Sequence, residues 1–373
     1  SKITSEALME LDEDDREKIL SYLSTKEIAK EIEEMDTDDA ADVVAELDDH
    51  IQKKVIEIIE DEEHASDIVE LLTYDKNTAG ALMAKELVQV KETWTVAGCV
   101  REMRRQAENI TRVHSIYVTD KDGKLKGRLS LKDLLTASVK THIIDVYIPK
   151  VDFVTVTTED EEVARIMQKY DLEAIPVVDE NGILVGRITI DDIVDFIKEE
   201  AEKDYQMAAG ISQDVEADDS ILELTKARLP WLVLGLFGGL GSVYILQGFE
   251  EALFNYPILF FFTPLIAAMA GNVGVQSSAI IVQGLANDVV KGSLFYRLLK
   301  ELGLALINGT ILGLLVIFFG FIVDQDFIVS ITIAISMLVV IIIAALIGTF
   351  VPIILDRKGI DPAIATGPFI TTS

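Results

Sequence analysis

Cysteine occurs once in these 373 residues, at Cys99, and histidine four times, at His50, His64, His114 and His142. One cysteine forbids an internal disulfide and suits a cytosolic setting for the soluble part. With the histidines scattered, no Cys/His metal cluster is present, and no Walker loop appears either. No catalytic constellation stands out, so an enzyme is not expected. Positive charge is scarce: 33 Lys and Arg stand against 63 Asp and Glu, a formal charge of −30. Phosphate backbones need clustered Lys and Arg, which argues against nucleic acid as a partner and for divalent cations. The first residues hold no basic stretch followed by an apolar run, so no secretory leader is read there.

The shortage of charge is uneven. Residues 229–373 contain five basic and eight acidic residues, which leaves 28 basic and 55 acidic in 1–228. An acidic soluble half therefore precedes an apolar half. The run "LPWLVLGLFGGLGSVYILQGF" (229–249) is long enough to cross a bilayer, which takes about 20 residues, and further candidates lie at 254–284, 297–323 and 327–355. Arg228, Lys291, Arg297, Lys300, Arg357 and Lys358 fall on one side of a four-span arrangement. Glu250, Glu251, Asp324 and Asp326 fall on the other, with no Lys or Arg. By the positive-inside rule the soluble half is cytoplasmic. Pro264 and Pro352 are expected to kink their helices.

Two repeats organise the soluble half. "LDEDDREKIL" (11–20) is echoed by "MDTDDAADVV" (35–44) and loosely by "IEDEEHASDIV" (59–69), with apolar residues at helical spacing. This pattern predicts a small superhelix of stacked helices, with acidic residues at helix starts. More sharply, "SIYVTDKDGKLKGRLSLKDLL" (115–135) matches "AIPVVDENGILVGRITIDDIV" (174–194) at a constant offset of 59. Each copy reads strand, D-x-x-G turn, strand, then a helix, and each is preceded by an amphipathic helix.

Acidic residues then crowd the segment that leads to the first span, among them Asp191, Asp192, Asp195, Glu199, Glu200, Glu202 and Asp204. Like charges three or four apart on a helix repel by a few tenths of a kcal/mol per pair, a repulsion that a divalent ion would remove. Inside the second span, "TPLIAAMAGNVGVQSSAII" (263–281) carries Asn272, Gln276, Ser277 and Ser278 among glycines. A divalent cation that sheds its waters reluctantly would need a path offering oxygen acceptors to the hydrated ion. Amide and carbonyl oxygens do so without a buried formal charge. The alternative for Asn272 and Gln276 is interhelical packing glue.

The repeat at 115–194 resembles a tandem pair of CBS domains. In the order acidic helical array, CBS pair, acidic connecting helix and G-N-x-G-x-Q span, the chain resembles the MgtE family of magnesium channels. The resemblance implies a multidomain fold: an all-α superhelical N domain (1–80), an α/β tandem CBS pair (83–200), a connecting plug-like helix (201–228), and a polytopic α-helical membrane domain (229–373) of four spans plus the start of a fifth. It implies pore residues Gly271, Asn272, Gly274 and Gln276, with Asp361 at the cytoplasmic mouth. Regulatory Mg2+ ligands would be Asp38 and Asp42 in the array, Glu159, Glu161 and Asp171 in the second CBS copy, and Asp192, Asp195, Glu200 and Asp204 leading to the membrane. Lys203 stands where relatives carry an acid. "DPAIATGPFITTS" (361–373) resembles the start of the family's fifth helix, whose ion-binding Asp lies beyond Ser373.

A nucleotide such as ATP would be held by Asp133. Lys132, where several relatives carry Arg, and Leu172, where an aromatic would stack, depart from the nucleotide-binding pattern. The function so implied is a homodimeric, Mg2+-gated magnesium channel of the cell (inner) membrane, passing Mg2+ inward and closing when Mg2+ binds the acidic cytosolic domains. The alternatives are a Na+- or H+-coupled divalent cation carrier with a CBS regulatory module, and a nucleotide-sensing CBS module with a membrane anchor. Buried carboxylates mid-span would favour a coupled carrier, and the only nearby candidate, Glu301, lies close to the cytoplasmic end, so the channel reading leads.

Overall fold

The computed structural model describes residues 2–9, 11, 13–106, 110, 113–217, 219–286, 289–290 and 292–365. The chain forms two compact units, Ser1–Ile197 and Lys198–Ser373.

The first unit opens with six short helices: α1 (Lys2–Met9), α2 (Glu13–Tyr22), α3 (Thr25–Ile32), α4 (Thr37–Ala45), α5 (Asp49–Ile58) and α6 (Glu62–Leu71). Helices of eight to ten residues are marginal alone in water. Here tertiary burial supports them, because α3 packs on α5 and α4 on α6, and Ile28, Ile32, Val43, Val44, Val55 and Ile68 are buried. The predicted acidic helix starts are partly real. Asp61 caps α6 by accepting the Glu63 and His64 N–H groups, whereas Asp36 and Asp48 sit at cap positions without a side-chain hydrogen bond to the helix start.

Next come α7 (Ala79–Leu82) and the two CBS copies. The first comprises β1 (Val88–Lys91), α8 (Val96–Gln106), β2 (Ile116–Thr119), β3 (Leu125–Leu129), α9 (Leu131–Thr136) and β4 (Ile148–Pro149). The second comprises β5 (Val154–Thr155), α10 (Asp160–Tyr170), β6 (Ala174–Val178), β7 (Leu184–Thr189) and the start of α11 (Ile190–Ala208). Each sheet pairs its first two strands in parallel across a crossover helix and the next pair antiparallel, in the orders β1-β2-β3-β4 and β5-β6-β7. The D-x-x-G turns explain the tight reversals. Asp120 accepts from the Asp122 and Lys124 N–H groups, and Gly123 takes φ +87°. Asp179 and Gly182 repeat this arrangement, with φ +79° at the glycine. The two turns also pair with each other, as Leu125 N–H donates to Gly182 and Leu184 N–H to Gly123. The sequence offset of 59 thus becomes a local two-fold relation. The first copy keeps its own core around Val88, Ile116, Val118 and Leu129. The second shares one continuous core with the helical array, from Ile28 and Val44 to Met167, Ile175 and Ile188.

In the second unit α11 stops at Ala208. Gly210 takes φ +81° and the Ile211 N–H reaches back to the Gln206 carbonyl, a Schellman stop. The connecting segment 201–228 is therefore not one helix, contrary to the sequence reading. It turns at 209–210 and restarts at the Ser220/Glu223 capping box as α12 (Ile221–Gln247). Two short helices, α13 (Glu250–Asn255) and α14 (Pro257–Phe260), lead to α15 (Thr263–Ala286), α16 (Leu294–Ile322) and α17 (Phe327–Asp356). Four helical stretches are long and apolar enough to cross a membrane: Ile221–Gln247, Pro257–Ala286, Leu294–Ile322 and Phe327–Asp356. Pro264 is the second residue of α15, where its fixed φ and missing N–H start a helix rather than kink it. Pro352 does lie inside α17. Both α15 and α16 pack mainly on α17. A Cβ on Gly348 would come 2.5 Å from the Gly274 carbonyl oxygen, so small residues permit the close approach of α15 and α17.

Candidate functional site

Within the first unit the structure gathers carboxylates where the helical array meets the second CBS copy. The N-terminus of α4 supplies Asp36, Asp38 and Asp39, the segment before β1 supplies Glu86, and the first turn of α11 supplies Asp192. Thr37, fully buried, donates its N–H and hydroxyl to Glu86 and accepts from the Lys85 N–H. Arg187, also buried on β7, donates to the Glu86 carbonyl and lies 3.7 Å from Asp36. The other acids are relieved less completely. Burial, then the Asp192, Asp39 and Glu86 charges, hold Asp38 far above the usual carboxylate range. Burial and the charges of Asp192, Asp36 and Asp42 push Asp39 to about 7, with Arg16 opposing. Glu86 is raised by burial and by Asp36. Asp192 is raised by burial although Thr189 donates its N–H and hydroxyl to it.

Such a cluster must take up protons or recruit a cation. Among the described residues no three His, Cys, Asp or Glu side chains are close enough to hold a metal ion directly. Carboxylates near enough to repel yet too far apart to share a bare ion suit a cation that keeps its waters, as Mg2+ does. Of the expected ligands, Asp38, Asp42 and Asp192 belong to this junction. Asp36, Asp39, Glu86 and Arg187 do too, and the sequence reading missed them. Asp39 was visible beside Asp38 in the repeated D-x-D-D (12–15 and 36–39), but Glu86 and Arg187 carry no motif.

The other expected ligands lie elsewhere. Glu159 occupies the N-cap position of α10 without a side-chain cap bond, Glu161 lies in its first turn and Asp171 ends it at φ +49°. An 11-residue helix of about 16 Å therefore separates Glu159 from Asp171. Asp195 is exposed on α11. Glu200 pairs with Lys203 at 3.1 Å. That bond, and the Asp361 and Asp204 charges after burial has opposed them, raise the Lys203 pKa. Glu200, Asp204 and Asp361 thus surround one lysine. Asp361 also caps its own short turn by accepting the Ala363 N–H at 2.7 Å. Residues 366–373, where the fifth-helix resemblance continues, lie outside the described residues. Asp133 is the third residue of α9, half-buried, behind a Ser130 cap.

In the apolar unit, α15 has two unlike faces. Gly274, Ser277, Ser278 and Ile281 are buried. Asn272, Val275, Gln276, Ala279 and Ile280 are exposed, and Gly271 is half-buried. The steps of three and four in the exposed set define one continuous stripe, so Asn272 and Gln276 stand together on it. Ser277 donates to Glu301 on α16 at 2.6 Å.

Three family profiles match the chain. Residues 1–77 match the MgtE intracellular N domain, 79–140 and 143–199 the CBS domain, and 263–373 the divalent cation transporter family MgtE. The magnesium transporter MgtE of Bacillus subtilis is 35% identical over 303 residues, covering 81% of this chain and 67% of that protein. That of Thermus thermophilus is 36% identical over 305 residues, covering 81% and 68%. Among solved structures, a cytosolic domain of the Mg2+ channel MgtE in complex with ATP is 36% identical, covering 52% of this chain and 78% of that one, with a TM-score of 0.49.

Proposed function

This chain belongs to the MgtE family of magnesium transporters, and on that premise we propose that it is a homodimeric channel that admits Mg2+ passively and is closed by Mg2+. It is a transporter with CBS regulatory domains, not an enzyme. The proposed setting is the cell (inner) membrane, with the soluble domains on the cytoplasmic side where the Lys- and Arg-bearing loops lie.

The exposed amides of Asn272 and Gln276 carry the transport half of this reading. A polar group left unsatisfied in hydrocarbon costs several kcal/mol, and α15 turns both amides away from its own packed face. They need water, an ion or a second copy of the chain. Two copies meeting along this stripe would enclose a path lined by amide oxygens, with Gly271 and Gly274 keeping the backbone close. Such a path suits a hydrated divalent ion. Asp361, beside Glu200 and Asp204, would draw cations towards its cytoplasmic mouth.

The gating half rests on the crowded acids. Mg2+ held through its waters by Asp38, Asp42 and Asp192, by Glu159, Glu161 and Asp171, and by Asp195, Glu200 and Asp204 would offset the repulsion in a compact state better than in a splayed one. Only such differential affinity shifts an equilibrium. Moving from mostly open to mostly closed takes about 5.5 kcal/mol, which several weak sites supply together, and weak sites set the response in the millimolar range.

The test is Mg2+ flux into liposomes. Asn272→Ala should lower flux at least about tenfold, the equivalent of about 1.4 kcal/mol, or abolish discrimination against Ca2+. Helix content and oligomeric state should stay as in the parent. Parental flux and selectivity would remove Asn272 from the path.

A further inference from the structure

Glu301 has no task in the reading above, yet it is a charged side chain where charge is expensive. It lies seven residues, about 10 Å, inside α16. No Asp, Glu, Lys or Arg lies deeper in α15, α16 or α17. An ionisable group within a span is retained for a function, and its partner identifies that function. Here the partner is Ser277, the residue after Gln276, at 2.6 Å. The other charges on this part of α16 are Arg297, one turn nearer the helix end and bonded to the Val289 carbonyl, and the exposed Lys300.

We propose that Glu301 is a positioning residue that, through Ser277, fixes the rotation of α15 and so determines that Asn272 and Gln276 face the transport path. The α15–α17 seam brings Gly274 against Gly348. Around this contact Ile266, Met269 and Val273 pack against the cluster of Ala305, Met337, Ile341 and Ala345, but apolar packing is non-directional. A short hydrogen bond from α16 supplies the missing directional restraint. Ser278 carries an equivalent hydroxyl about 100° further round α15, fully buried and without a hydrogen-bond partner among the described residues. The rotational setting is thus defined by which of the two serines Glu301 holds.

The inference rests on the proposed transport face, and the test separates the two. The full chain is reconstituted in liposomes, and Mg2+ flux and the Mg2+/Ca2+ flux ratio are measured for Glu301→Ala, Glu301→Gln, Ser277→Ala, the Glu301→Ala/Ser277→Ala double variant, and Asn272→Ala. Loss of restraint should lower the ratio about tenfold, matching the loss of one charge-assisted hydrogen bond of about 1.4 kcal/mol. Glu301→Ala, Ser277→Ala and the double variant should show the same loss, because each removes the same bond. Glu301→Gln, whose amide oxygen still accepts, should recover most of the ratio. A loss of flux at unchanged ratio, or additive losses in the double variant, would make the pair a packing contact and overturn the inference. Should Glu301→Ala fail to assemble, Ser277→Ala and Glu301→Gln carry the same comparison. If Asn272→Ala changes the ratio while Ser277→Ala does not, the positioning role fails and the transport face stands. If Asn272→Ala has no effect, the transport face itself fails.

Discussion

The two units of this chain manage polar groups in opposite ways. The acidic unit builds its core from many short helices and two small sheets, then crowds carboxylates where the array meets the second CBS copy, with Arg187 and Thr37 relieving only some of them. The apolar unit keeps charge out of three helices almost entirely, yet leaves two amides on an outer stripe of α15. In the first unit the unsatisfied feature is repulsion, which a cation relieves. In the second it is unmet hydrogen-bonding capacity, which a hydrated ion or a second copy meets. On the proposed function, one hydrated divalent ion would meet both deficits, as regulator in one unit and as cargo in the other.

The largest effect that would sharpen this contrast concerns packing in the apolar unit. Gly348→Ala places a methyl group 2.5 Å from the Gly274 carbonyl oxygen and should cost about 1–3 kcal/mol by forcing α15 off α17. Gly235→Ala inside α12, with nothing within 4 Å, should stabilise by up to about 1 kcal/mol through helix propensity. Thermal unfolding in detergent compares the two. Equal midpoints would mean that the α15–α17 seam is not the tight contact on which the apolar unit depends.

Next in size is the pH dependence of the acidic unit. Asp39 has a pKa of about 7 in the folded chain against an ordinary 3.8. The packed junction therefore holds the proton more tightly than the opened chain does. Without Mg2+ the Asp39 contribution to its stability should be greatest in acid and be lost as pH rises from about 4 towards about 7. Hydrogen exchange of the α4 amides reads this slope. Asp39→Asn should make it shallower, leaving the share of Asp38, Glu86 and Asp192, and millimolar Mg2+, which competes with the proton, should flatten it. A slope unchanged by millimolar Mg2+ would mean that the junction's acids do not hold the ion.

A smaller effect is expected further along α11. Asp195→Ala with Glu200→Ala should move both channel closure and protease protection of 195–228 to several-fold higher Mg2+. Closure at the parental concentration would make this stretch an ordinary solvated face. The least effect concerns nucleotide. With Leu172 supplying no aromatic ring, ATP should bind no tighter than millimolar, and Asp133→Ala should remove what heat calorimetry detects. A submillimolar Kd, or binding unaffected by Asp133→Ala, would place the nucleotide elsewhere or show that it needs no stacking partner.

Much of this molecule follows from its sequence alone. The split between acidic and apolar halves is a matter of composition. The two CBS copies follow from a 59-residue repeat, because strand alternation and D-x-x-G turns are local chemistry that each copy must satisfy. The spans follow from length and hydropathy, and the family from G-N-x-G-x-Q in its context. The exceptions also have local causes read too coarsely: Gly210 in the left-handed region ends α11, and Pro264 starts a helix.

What tertiary structure alone decided is which charges meet. Asp38 and Asp192 are 154 positions apart, and no periodicity says that α4 docks beside the first turn of α11, or that Glu86 and Arg187 complete the junction. The same holds for Ser277 and Glu301, brought within 2.6 Å by packing of two helices on a third. Local propensity is written in neighbouring residues, whereas electrostatic coupling depends on through-space distance and burial, which only the folded chain sets.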